Sequence, residues 1–141
     1  MAAWSTRSAT PADIPAVLAL WQDAGAAESV TDTPLGLTAL IAREREGILI
    51  AEEGGAAIGS LIAVWDGWRG SFYKLAVHPR RRREGIASAL LREGERRLRE
   101  RGAERLTAIV SVDDPVALAF WRAAGYSPQQ ERTRFVRHVS A

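Results

Sequence analysis

Between Phe72 and Ser88 the chain runs from a β-favouring stretch, Phe72 to Val77, through His78-Pro79 and four arginines, Arg80 to Arg83. It then reaches Gly85 and a segment of helical periodicity. Proline has no N–H to give a ladder, so the strand stops at Pro79. A helix beginning near Gly85 leaves its first N–H groups without intrahelical partners, and with the helix dipole these form an anion site. Gly85 and the small Ala87 allow a phosphate close to the backbone, Ser88 adds a hydroxyl donor, and the arginine run adds charge. The single glycine does not match G-x-G-x-x-G, and there is no G-K-[ST], which argues against a dinucleotide fold and a P-loop.

The elements around this segment follow from periodicity. Trp4 to Ala9 reads as a short strand. Thr10-Pro11-Ala12-Asp13 reads as a helix start, with a capping hydroxyl, a first-turn proline and an acid where the dipole favours one. Ile14, Val17, Leu18 and Trp21 continue that helix as an apolar stripe. A loop from Gly25 to Thr33 precedes a second helix opened by Pro34, with Leu37, Leu40 and Ile41 on one face. Ile48 to Glu52 and Ala57 to Trp65 form strands joined at Glu53-Gly54-Gly55. Asp66 to Gly70 turns the chain into the Phe72–Val77 strand.

From Glu84 to Arg101 a long helix directs Ala87, Leu90, Leu91, Gly94 and Leu98 inward and Arg92, Glu93, Arg96, Arg97, Arg99 and Glu100 outward, capped by Gly102. Leu106 to Val112 is β-rich. Asp113-Asp114-Pro115 then opens a short helix closed by Gly125, and Pro128 to Val139 is expected to hold one or two closing strands. The order β-α-α-β-β-β-α-β-α-β predicts an α/β (α+β mixed) sheet of six to seven strands flanked by about four helices.

The chain's 141 residues suit one domain, 1–141. With no cysteine, disulfides, thiolate metal sites and a Cys nucleophile are excluded, and two scattered histidines give no metal site. Net charge is +2, yet residues 80–105 hold ten Arg against five Glu. Such local basicity calls for a polyanionic partner, either a phosphate-bearing cofactor or a nucleic acid. Interleaved aromatics and modular nucleic-acid motifs are missing, which favours the cofactor. The longest mostly apolar stretch, Ala56 to Trp65, is half of a membrane span, and Met1-Ala2-Ala3-Trp4 does not start a signal peptide, so a cytoplasmic protein away from membranes is expected.

Leu75-x-Val77-x-Pro79 followed by Arg82-x-x-Gly85-x-Ala87 resembles the strand and pyrophosphate loop of the GNAT superfamily of N-acetyltransferases. Asp114-x-x-Ala117-x-x-Phe120-Trp121-x-x-x-Gly125-Tyr126 is similar to that family's second signature, and the element order matches from Trp4 to Val139. The resemblance implies direct transfer of an acetyl group from acetyl-CoA to a primary amine, on a small molecule or a peptide, in a ternary complex. It further implies that Leu75, Ala76 and Val77 pair through their main chain with the pantetheine arm. Arg82, Arg83, Gly85, Ile86, Ala87 and Ser88 hold the pyrophosphate, and Asp114 contacts the cofactor arm. The central strand is expected to splay from its neighbour near Ile109 to Ser111.

Two positions depart from the pattern. Trp121 stands where the family often has a tyrosine acid, so Tyr73 becomes the catalytic candidate, with Tyr126 behind it; an aromatic at such a place is more often an ordinary sheet residue. Asp114 stands where asparagine is usual, so it accepts but cannot donate when ionised. Glu28 and Asp32, in a loop that borders the acceptor in the family, and Trp65, Asp66 and Trp68 are acceptor-side candidates. Another acyl-CoA as donor, a CoA-binding regulatory module without turnover, and a homodimer through the last strands remain open alternatives.

Overall fold

The computed structural model describes residues 3–139, which fall into two compact units, 3–108 and 109–139. The first holds five strands and three helices: β1 (Ser5–Ser8), α1 (Ile14–Asp23), α2 (Pro34–Arg43), β2 (Ile48–Glu53), β3 (Ala56–Trp65), β4 (Gly70–Val77), α3 (Ile86–Glu100) and β5 (Leu106–Ala108). The strands lie in the order β1-β2-β3-β4-β5, antiparallel up to β4 and parallel between β4 and β5.

The continuous apolar runs of β2 and β3 reflect burial on both faces of the sheet. Ile48, Ile50, Ile62 and Ala76 pack with Ile14, Val17, Leu20 and Trp21 of α1 and Leu37 and Ile41 of α2. On the other face α3 lies so close that an added Cβ at Gly94 would come within 3.0 Å of both Leu61 and Phe72, and one at Gly59 within 2.7 Å of Ile86. Glycine at these two positions lets helix and sheet approach.

Local chemistry sets the boundaries. Thr10 and Asp13 form a reciprocal capping box over a single 3-10 turn, Pro11–Asp13, that leads into α1. The Thr33 hydroxyl accepts from Gly36 N at the start of α2. α3 is shorter than its pattern suggests, because Gly85 at φ +81° is not helical. That shift buries Ile86 rather than Ala87.

Arg97, expected among solvated residues, is half-buried: it donates to Ser8 Oγ at 2.8 Å and pairs with Glu93 at 3.0 Å, tying α3 to β1. Arg96 first, and Arg97 with it, hold the Glu93 carboxyl down at about 2. Arg7 grips Asp13 through two 2.8 Å bonds and likewise keeps it well below the carboxylate range. Both acids are depressed on folding, so their stabilisation is present above their unfolded pKa values and disappears as pH falls through the folded ones. Urea midpoints should hold steady near neutrality and fall below about pH 5. Glu93→Gln should remove part of that fall.

The second unit contains α4 (Pro115–Ala123), started by Asp114, whose Oδ1 accepts from Ala117 N at 3.0 Å. Trp121 meets Phe120 and Tyr126 edge-on, with ring centroids 5.7 and 4.9 Å away.

The expectation of six to seven strands is corrected to five among the described residues. β5 ends at Ala108 instead of Val112, and residues 128–139 form no strand. Phe135, Val136 and Val139 are exposed there. β-Favouring residues make a strand only against a neighbouring strand or a buried face, and residues 128–139 pair with no strand among the described residues and are exposed.

Candidate functional site

β4 is irregular at its centre. Tyr73 faces Ile62 and Ala76 faces Ser60, so Lys74 and Leu75 together oppose Leu61 on β3. This is a β-bulge, with Lys74 at φ +54°, a left-handed conformation that costs a non-glycine residue about 1–2 kcal/mol. Side chains hold it in place. The buried Ser60 hydroxyl receives Trp21 Nε1–H at 2.8 Å and donates to the Lys74 carbonyl at 2.9 Å, replacing the ladder bond that the bulge displaces. The Lys74 ammonium reaches Asp32 Oδ2 at 2.6 Å and the Ala27 carbonyl, and lies 5.1 Å from the centre of the Trp21 ring.

The other edge of β4 is longer than its neighbour. β5 pairs with Gly70, Ser71 and Phe72, and the pairing stops there, leaving the edge from Tyr73 to Val77 without a strand partner among the described residues. Ala76 is buried in the α1-side core, and Leu75 and Val77 are half-buried, so this segment offers an outside group its main chain. Tyr73 lies one residue past the last pair and is exposed.

β4 leads through His78 and a 3-10 turn, Pro79–Arg81, into the loop before α3. His78 Nδ1 accepts from Arg80 N at 3.2 Å, a strand-end role. Arg83 at φ +66° and Gly85 at φ +81° bend the chain so that α3 begins with a glycine cap. No side-chain oxygen caps α3, whereas Thr33 and Asp114 cap α2 and α4. The first-turn N–H groups of Ile86, Ala87 and Ser88 are therefore left for an outside acceptor, and a Cβ built on Gly85 would meet nothing within 4 Å. An anion fits this place. Arg82 and Arg83 are exposed and pair with no carboxylate among the described residues. The Ile86 side chain belongs to the core, so only its N–H is available.

The sequence-predicted residues of the first unit thus come together along one continuous segment, from Tyr73 to Ser88. Asp114 lies in the second unit, with one carboxylate oxygen occupied by its own helix cap. Asp32, proposed for the acceptor side, is neutralised by Lys74; Glu28 is exposed. Asp66 is occupied by its turn, accepting from Trp68 N at 2.8 Å and Arg69 N at 2.6 Å, contacts that lower its pKa. Trp68 stands exposed with the Arg69 guanidinium 4.0 Å over its ring. Sequence reasoning missed Lys74, Glu53, Arg81 and Glu84. The Arg81–Glu84 spacing was readable, but the partners across the fold were not.

Known proteins are similar to this chain in sequence and fold. The model of the acetyltransferase (GNAT) family matches residues 15–126. Acetyltransferase YE1169 of Yersinia enterocolitica is 32% identical over 117 residues, 83% of either chain. Ard1 from Thermoplasma volcanium superposes with a TM-score of 0.80 at 22% identity, over 89% of this chain and 84% of that one. The PaiA N-acetyltransferase from Thermoplasma acidophilum, solved in complex with coenzyme A, gives a TM-score of 0.78 at 15% identity, over 92% of each chain. The chain belongs to the GNAT acetyltransferase family.

Proposed function

We propose that the chain is a single N-acetyltransferase domain that moves an acetyl group from acetyl-CoA directly to a primary amine. The observation that carries this reading is the uncapped first turn of α3 immediately after the unpartnered half of β4, in a chain of this family. The coenzyme A bound by the Thermoplasma acidophilum relative supports a CoA donor.

In this reading the main chain of Leu75, Ala76 and Val77 aligns the pantetheine arm, while the N–H groups of Gly85 to Ser88 and the charges of Arg82 and Arg83 hold the pyrophosphate. A β4 N–H stabilises the oxyanion as the neutral amine nitrogen bonds to the thioester carbonyl carbon. The C–S bond then breaks, the nitrogen releases its proton, and the sulfur leaves as thiolate or takes a proton. Tyr73, exposed beside the open edge, is the candidate donor of that proton.

The test is an acetyl-CoA titration followed by an amine panel with free thiol as the readout. Amine-dependent thiol release is expected, and Tyr73→Phe should slow it with little change in CoA affinity. Gly85→Val, which forces a β-branched residue to φ +81°, should weaken CoA binding by roughly tenfold or more. One observation favours a second reading: Trp121 occupies the usual acid position and its indole cannot donate a proton to a thiolate. A CoA-binding regulatory module would bind without releasing thiol to any amine, and a donor other than acetyl-CoA would release thiol from a longer acyl-CoA instead.

A further inference from the structure

Arg81 stands apart from the other arginines of the run. Its guanidinium donates from Nη1 and Nη2 to both oxygens of Glu53 at 3.0 Å, and from Nε and Nη2 to Glu84 at 2.8 and 3.0 Å. One side chain, 23% exposed, thereby joins the end of β2 beside the Gly54-Gly55 turn to the loop before α3. Arg81 is committed to two carboxylates and has no fork left for a phosphate.

Glu84 directly precedes the Gly85 cap of α3. A free carboxylate there faces the same positive helix end as an incoming phosphate, and opposes that phosphate at short range. Its fork with Arg81 offsets part of that charge and ties the carboxylate to the guanidinium that also holds Glu53 on β2. The same fork keeps the Glu84 pKa low and the Arg81 pKa high, so the pair stays ionised.

We propose that Arg81 is a positioning residue for the phosphate loop: it offsets the charge of Glu84 and holds its carboxylate in a fork shared with Glu53, leaving the first turn of α3 to an anion. This rests on the CoA reading above and adds to it a residue that touches no ligand.

A double-mutant cycle tests it. CoA and pantetheine, which shares the arm but carries no phosphates, are titrated calorimetrically into the unaltered protein, Arg81→Met, Glu84→Gln and the double variant. Arg81→Met should weaken CoA roughly tenfold, about the 1.4 kcal/mol of one uncompensated charge, and change pantetheine less than about twofold. Glu84→Gln in the same chain should restore CoA affinity to within about twofold of the unaltered protein, because the opposing charge is gone.

A loss that Glu84→Gln fails to restore, or one shared by pantetheine, assigns Arg81 a merely structural brace and overturns the proposal. Unchanged CoA affinity in Arg81→Met overturns it too. Failure of the unaltered protein to bind CoA sinks the underlying reading, and the two failures are thus told apart.

Discussion

Phe72→Ala is expected to lower the free energy of unfolding by about 3–5 kcal/mol, the range for removing a buried aromatic ring. Phe72 is 1% exposed, on the sheet face covered by α3. The site has little means to collapse. Gly94 has no side chain to move into the space, and Leu61, against which an added Gly94 Cβ would already press at 3.0 Å, is itself fully buried. A cavity therefore remains, and its cost adds to the lost transfer free energy. Urea denaturation reads this as a lower midpoint at unchanged slope. A loss below about 1 kcal/mol would mean that α3 does not pack on the sheet as described.

Lys74→Met should cost about 2 kcal/mol, less than a fully buried pair because some solvent reaches it. The Lys74 and Asp32 side chains are 16% and 13% exposed. Removing the ammonium leaves the Asp32 carboxylate without its counter-charge and the Ala27 carbonyl without this donor. Asp32→Leu added to Lys74→Met should recover most of the loss, since an absent pair is cheaper than half of one. If the double variant is as unstable as the single, the left-handed bulge and not the ion pair dominates at this position.

Much of this architecture was readable in the chain. Thr10 and Asp13, Thr33 before Pro34, the Gly54-Gly55 turn and Gly102 punctuate elements through local chemistry, and each stands where that chemistry predicts. What local pattern could not supply was pairing. Residues 128–139 were expected to hold closing strands and form none, and the bulge at Lys74 depends on Trp21 and Ser60, distant in sequence.

The candidate site divides in the same way. Gly85, Arg82 and Arg83 could be picked out as candidates because an anion site at a helix start would draw on consecutive residues. Arg81 looked like another free positive charge, and only the fold brings Glu53 to it. Asp32 looked available to a cationic acceptor, and only the fold places Lys74 on it.

The measurement that bears most directly on the central claim is amide hydrogen exchange with and without acetyl-CoA at about a hundredfold excess over Kd, where binding adds roughly 2.7 kcal/mol of stability. Protection is expected to rise most at 75–77 and 82–88, the open half of β4 and the start of α3. Protection that rises elsewhere while these residues keep exchanging at their unliganded rates would contradict it.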